Sequence, residues 1–271
     1  MKKIYVILII LIFGVSFWYY HRQAGSIVKI DMPPAHDFLD FSTSTVGTDT
    51  ASNTATSVVP LVNLDFPAPE PSQTEVKDVL TEKKSINLDV PFTSQAPTAN
   101  WAEPFQNACE EASVLMVDYY FSNKDFPSQP ETENILVNLV QWQIENWGGH
   151  NNLPVAKVAE FARLNFSLRA EVVSDLTADK IRNYLDKGLP VIVPADGQEL
   201  DNPNFRNGGP EYHMLVIKGY VDDKFITDDP GTRKGHDFVY TENNLMSSIH
   251  DWDTIQNKAS GPSVGLILRR K

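Results

Sequence analysis

Apolar residues fall along this chain in three different ways. From Ile4 to Tyr20 they run without interruption by charge for seventeen residues. From Arg22 to Lys84 they keep neither a helical nor a strand period. Residues 42–58 are mostly Ser, Thr and Ala with a single Asp, and Pro60, Pro67, Pro69 and Pro71 then break any regular element. From Ser85 onward the spacing becomes regular.

In that last part Ile86, Leu88, Val90 and Phe92 alternate, which predicts a strand. Ala112, Leu115, Met116, Tyr119 and Tyr120 follow offsets 0, 3, 4, 7 and 8, one face of a helix that begins near Cys109. Thr132 to Asn146 predicts a second helix, with Ile135, Leu136, Leu139 and Trp142 on one side. Val155, Val158, Ala159 and Ala162 predict a third helix after Pro154. Thr177 suits the N-cap of a fourth, Ala178 to Lys187, and Gly188 ends it. Leu189 to Val193 predicts a buried strand, Met214 to Tyr220 and Lys224 to Thr227 a hairpin, and Val264 to Leu268 a closing strand. Helices precede strands, so the expected class is α+β with a largely antiparallel sheet. A polar stretch of about nineteen residues, Pro194 to Tyr212, leads straight into His213. A loop of that length inside a compact domain is usually functional or disordered; because it leads into His213, it is expected to border a substrate cleft. Phe205 and Tyr212 in it either wall a pocket or tuck into the core.

These regimes divide the chain into 1–21, 22–84 and 85–271. The first is expected to be a retained transmembrane anchor. Seventeen residues make a helix of about 25 Å, the short limit for crossing a bilayer. Tyr5 at one end and Trp18, Tyr19 and Tyr20 at the other suit the two interfaces, and Lys2 and Lys3 put the N-terminus in the cytoplasm. Cleavage near Ala24-Gly25-Ser26 is the alternative. The second is expected to be a flexible stalk, with an end-to-end distance of roughly 45 Å. The third, 187 residues, is enough for one domain with its own core.

Composition narrows the chemistry. Thirty-five acidic residues against 23 Lys and Arg give a net charge of −12, which argues against a nucleic-acid ligand. One cysteine rules out an internal disulfide and a thiolate zinc site. His21, His36, His150, His236 and His250 show no metal-ligand spacing, and neither a phosphate-binding glycine loop nor a serine nucleophile elbow occurs. No cofactor is expected.

Cys109 is the candidate nucleophile. A helix N-terminus favours its thiolate, but Glu110 and Glu111 in the first turn oppose it, so activation needs a further partner such as an imidazolium. Its bland role is as one more small residue of the apolar stripe. His213, at the start of the hairpin, is the candidate partner, and Asp229, sixteen residues on, the group that would orient it. Directly opposed residues of a hairpin share a face, so His213 and Asp229 require a hairpin centred on Val221. A three- or five-residue loop gives that; a tight Asp222-Asp223 turn would point the pair to opposite faces. His150 and His236 rank below His213, because neither begins a strand paired to an Asp-bearing strand.

The order Cys, distant His, then Asp is that of a papain-like thiol hydrolase. From about Ser85 the chain resembles the bacteriocin-processing-like (double-glycine peptidase-like) cysteine peptidases. The matching pieces are Val90-Pro91-Phe92-Thr93-Ser94-Gln95, Cys109-Glu110-Glu111-Ala112-Ser113, the His213 strand ending Gly219-Tyr220, and Asp228-Asp229-Pro230. The resemblance implies a two-lobed fold, a helical lobe carrying Cys109 and a sheet lobe carrying His213 and Asp229. It implies Cys109 as nucleophile, His213 as general base and acid, and Asp229 as the orienting residue. It further implies a glutamine that completes the oxyanion hole with the Cys109 N–H. Gln95 follows the strand the family uses but lies fourteen residues from the cysteine; Gln106, three residues away, is the rival. Ala108 stands where the family commonly has Gly. The expected function is a membrane-anchored, extracytoplasmic thiol peptidase that cuts a peptide or isopeptide bond in a peptide, protein or cell-wall substrate. The alternatives are a non-catalytic peptide- or wall-binding module and an acyl transferase.

Overall fold

The computed structural model describes residues 85–271. The anchor and stalk expected for 1–84 lie outside these residues. Among the described residues no helix is long and apolar enough to cross a membrane.

The elements run β1 (Ile86–Asn87), α1 (Cys109–Ser122), α2 (Gln129–Trp147), α3 (Val155–Asn165), β2 (Leu168–Ser174), α4 (Ala178–Leu185) and β3 (Val191–Ala195). Then come β4 (His213–Val221), β5 (Lys224–Asp228), β6 (Phe238–Thr241), α5 (Glu242–Ser248), β7 (Trp252–Asp253), β8 (Lys258–Ala259) and β9 (Val264–Arg270). One antiparallel sheet takes the order β2-β9-β3-β4-β5-β6, with β1 also on β4; β7 and β8 form a separate small pair. This is a mixed helix and antiparallel-sheet fold, as the helix-then-strand order led one to expect.

Two strands carry the site. β4 is buried from His213 to Tyr220, because β3 and β1 pair along one of its edges and β5 along the other. β1 is shorter than the alternation predicts: the ladder runs Ile86↔Tyr220 and Asn87↔Gly219, then the chain turns where the Val90 N–H donates to the Leu88 carbonyl (2.8 Å). Leu88 and Val90 are still buried, so the pattern reported burial rather than hydrogen bonding.

α1 departs from the expected amphipathic helix. Every residue from Cys109 to Val117 is buried, Glu110, Glu111 and Ser113 included. It packs across β4 as a central helix, and the Ser113 hydroxyl donates to the Met214 carbonyl (3.2 Å). The Thr177 cap forms as expected, its hydroxyl accepting the Lys180 N–H (3.3 Å). β2, at the sheet edge, was not anticipated; only Leu168 of its seven residues is buried, so it carries no strand period.

The β4–β5 hairpin corrects the sequence expectation. Its turn is the tight one, with Val221 opposite Lys224 and Asp222 at φ 54°, a left-handed conformation that Asp tolerates. A bulge between Ile217 and Gly219 then adds one residue to β4. Beyond it the register is Val216↔Asp228, and the inserted residue restores the shared face that a tight turn alone would deny. The bulged residue, Lys218, buries its ammonium between Asp237 (2.9 Å) and Asp228 (3.9 Å), and its carbonyl accepts the Leu88 N–H (2.9 Å).

Candidate active site

Asp229 follows β5 directly, where the chain turns away from the sheet. The turn is closed by the Asp229 N–H donating to the Gly235 carbonyl (3.0 Å). This brings the Asp229 carboxylate to His213: Nε2 and Oδ1 are 2.7 Å apart, both side chains essentially buried. With Nε2 held by the carboxylate, Nδ1 is the ring nitrogen left for chemistry, and among the described residues no hydrogen bond engages it.

A buried carboxylate must have its lone pairs satisfied to stay ionised. Asp229 Oδ1 also accepts the Gly231 N–H (2.9 Å), and Oδ2 accepts the Tyr240 hydroxyl (2.6 Å) and the Asn202 amide (3.1 Å). Burial pushes its pKa up, but His213, Tyr240 and the Gly231 N–H outweigh burial and hold it below the usual aspartate range. The group is therefore an anion at neutral pH.

Cys109 is the first residue of α1, and its N-cap, Ala108, offers no side-chain acceptor. The first backbone N–H groups of a helix have no intrahelical partner, and no side chain caps them here. The thiol is 4% exposed. It donates to Glu110 Oε2 at 3.0 Å; among the described residues no hydrogen bond joins it to His213. Burial first, then the Glu110 charge and hydrogen bond and the Glu111 charge, push the thiol well above its usual range. The opposition expected from these glutamates is thus present, with Glu110 in direct contact. Glu110 itself is pushed up to about 7 by burial and by Glu111, and its other oxygen accepts the Leu153 N–H (3.1 Å). Glu111 accepts from Gln143 and lies 3.2 Å from His150 Nε2.

An open cleft of about 520 Å³ is lined by Gln95, Trp101, Gln106, Asn107, Phe205 to Asn207, Gly209, Pro210, His213 and Gly231. The long loop before His213 does border it. Phe205 is a wall, its ring edge-on to His213 at 5.2 Å; Tyr212 belongs to the core, donating to the Leu153 carbonyl (2.8 Å). Both glutamine candidates line the cleft. Gln95 Nε2 donates to the carbonyls of Phe105 and Gln106, both at 2.9 Å. A nitrogen between two carbonyl oxygens is the only sensible amide orientation, so both of its hydrogens brace the turn that delivers Cys109. The Gln106 amide donates to the exposed Glu103.

The rival histidines stand elsewhere. His150 pairs with Glu111, and His236 lies 3.0 Å from Asp228 Oδ1; neither lines the cleft. Asp228, His236 and Asp237 form the one group among the described residues that could hold a metal ion, their ligand atoms within 4.8 Å of one another. The Lys218 ammonium already supplies a cation there, 2.9 Å from Asp237.

Gly231 is a residue that motif reading passed over. A Cβ there would stand 2.8 Å from both His213 Cε1 and Phe205 Cε1. Gly231→Ala is expected to push the imidazole off its line to Asp229 and lower kcat by about 100-fold. Steady-state kinetics beside an unchanged circular-dichroism spectrum would check this. Asn202 and Tyr240 were passed over too, since nothing in their spacing points to Asp229.

No curated protein matches the chain. The crystal structure of a protein described as a C39-like peptidase from Bacillus anthracis is similar at 15% identity and a TM-score of 0.47, covering 69% of this chain and 98% of that one. The peptidase domain of Streptococcus ComA, a bi-functional ABC transporter of a quorum-sensing pathway, is similar at 12% identity and a TM-score of 0.33. That match covers 61% of this chain and 93% of that one. The model of the Peptidase_C39 like family matches residues 87–260, well over half of the chain. With its helix-borne thiol and its sheet-borne imidazole, the chain belongs to the Peptidase_C39 like family of cysteine peptidases.

Proposed function

We propose that the protein is a membrane-anchored, extracytoplasmic thiol peptidase that hydrolyses a peptide or isopeptide bond through an acyl-enzyme on Cys109. The buried His213–Asp229 pair at 2.7 Å carries this reading. It fixes the imidazole with Nδ1 unengaged beside a peptide-sized cleft. In the reaction, Nδ1 takes the thiol proton and the thiolate attacks the carbonyl carbon. The amine then leaves with the proton from Nδ1, and water, deprotonated by the same nitrogen, releases the acid. Asp229 holds Nε2–H and offsets the charge of the imidazolium. The Cys109 N–H and Gln95 Nε2 receive the oxyanion, with Gln95 giving up one of its two carbonyls to do so. The apolar run from Ile4 to Tyr20 supports the anchor, and Lys2 and Lys3 support the orientation.

One observation favours the second reading, a non-catalytic peptide-binding module: the thiol is hydrogen-bonded to Glu110 rather than to His213. Profiling of a peptide library with the full-length protein separates the two. Hydrolysis by the wild type that is absent in Cys109→Ala is the expected result. Binding of peptides with no cleavage by either form would favour the module. External protease digestion of intact cells tests the orientation, and survival of the 85–271 domain would contradict it.

A further inference from the structure

The carboxylate that orients His213 is itself held from behind by two residues on separate elements. Tyr240, on β6, donates to Asp229 Oδ2 at 2.6 Å, and its oxygen accepts the Asn202 amide at 2.8 Å. Asn202, in the loop before β4, also donates to Oδ2 at 3.1 Å, which closes a three-membered ring of polar groups. All three side chains are buried. The phenol is pushed far above its usual range by burial and by the Asp229 charge, so it stays a donor. The same Asn202 faces the cleft loop: its Oδ1 accepts the Asn204 N–H (3.0 Å) and side-chain amide (3.2 Å). Its carbonyl accepts the N–H of Phe205 (3.0 Å), whose ring packs edge-on to His213.

We propose that Tyr240 and Asn202 are positioning residues that fix the plane of the Asp229 carboxylate, and that Asn202 couples this carboxylate to the loop walling the substrate cleft. The proposal rests on the peptidase reading above. The physical reason is geometric. His213 and the Gly231 N–H hold only Oδ1, so without donors on Oδ2 the carboxylate is less restrained against turning about its Cβ–Cγ bond. Its plane would then no longer hold the imidazole in one orientation. The hydrogen bonds of the Tyr240 hydroxyl go to Asp229 and Asn202, so its effect falls on turnover. Asn202 touches both the carboxylate and the loop, so its effect falls on turnover and on substrate binding together.

The test uses the full-length protein with Tyr240→Phe, Asn202→Ala and Asp229→Ala, singly and in pairs. Tyr240→Phe is expected to lower kcat about tenfold with KM unchanged, the size of a hydrogen bond to a charged group. Asn202→Ala is expected to lower kcat and raise KM. In the Asp229→Ala background neither is expected to lower kcat further, because groups that act through one carboxylate are not additive. Equal losses with and without Asp229 would overturn the proposal, as would a Tyr240→Phe enzyme with wild-type kcat. A readout without turnover separates this failure from failure of the peptidase reading. By NMR, exchange of the His213 Nε2 proton with water is expected to quicken at least threefold in Tyr240→Phe; an unchanged rate would overturn the proposal even in a protein that cleaves nothing.

Discussion

Replacing His213 by alanine is expected to lower hydrolysis by about 10³-fold, within the range that a positioned general base and acid contributes. The same change has a second consequence. Asp229 is completely buried, and in the variant it loses the strongest partner that keeps it ionised, retaining Gly231, Tyr240 and Asn202. Removing one partner of a buried pair costs about 3 kcal/mol at neutral pH. The sign follows from the depressed pKa. An aspartate held low contributes stability that is present above its unfolded value and lost as pH falls through the folded one. The loss in His213→Ala is therefore expected to be full at pH 7 and to shrink below pH 4, as urea unfolding at the two pH values would show. A variant as inactive as predicted but equally stable at pH 7 would mean that the pair is not the buried couple described here. His213→Gln keeps a donor near Asp229, so it is expected to recover stability without activity.

The second large effect is expected at Glu110. A carboxylate 3.0 Å from a buried sulfur opposes a second negative charge by a few kcal/mol even at an effective dielectric constant of about 20. Glu110→Gln keeps the shape and an acceptor for the Leu153 N–H, removes the charge, and supplies N–H groups that a thiolate can accept. Alkylation of Cys109 by iodoacetamide at pH 8 is expected to rise at least about tenfold, the thiolate gain from one unit of ionisation. The wild type carries the opposing charge mainly above pH 7, the value to which Glu110 is raised, so the difference between the proteins should narrow towards pH 6. Stability gives the same sign by a separate route. A carboxyl raised above its unfolded value contributes stability that is full below that value and lost as pH rises through the folded one. The substitution is therefore expected to stabilise the protein at pH 8 relative to pH 4.5, by up to about 3 kcal/mol. Slower alkylation in the variant would show that the glutamate assists ionisation of the thiol.

The contrast between these two residues shows what the sequence made legible. His213 and Asp229 were found because a strand start, a turn and a face rule constrain where two distant positions point. The rule reached the right pairing by the wrong loop: the turn is tight and a bulge at Lys218 supplies the missing residue, a feature that no local pattern encodes. Glu110 was legible as a charge in the first turn of α1 but not as the acceptor of the thiol, because α1 is buried on nearly every side and its polar residues must find partners inside. Gln95 was found by its motif, yet its amide spans to Phe105 and Gln106 across an insert whose path only the fold defines. Tyr240 and Asn202 reach Asp229 from another strand and from a loop; such convergence leaves no spacing to detect. β2 was missed for a simpler reason, since an edge strand with one buried residue has no period.

The central claim is that Cys109 carries the acyl group, and intact-mass spectrometry of the full-length protein, quenched during turnover of a cleaved peptide, reads it directly. A transient adduct with the mass of the N-terminal fragment less one water, located on Cys109 and absent in Cys109→Ala, is the predicted result. Cleavage that proceeds with no adduct on Cys109, or that persists in Cys109→Ala, would contradict it.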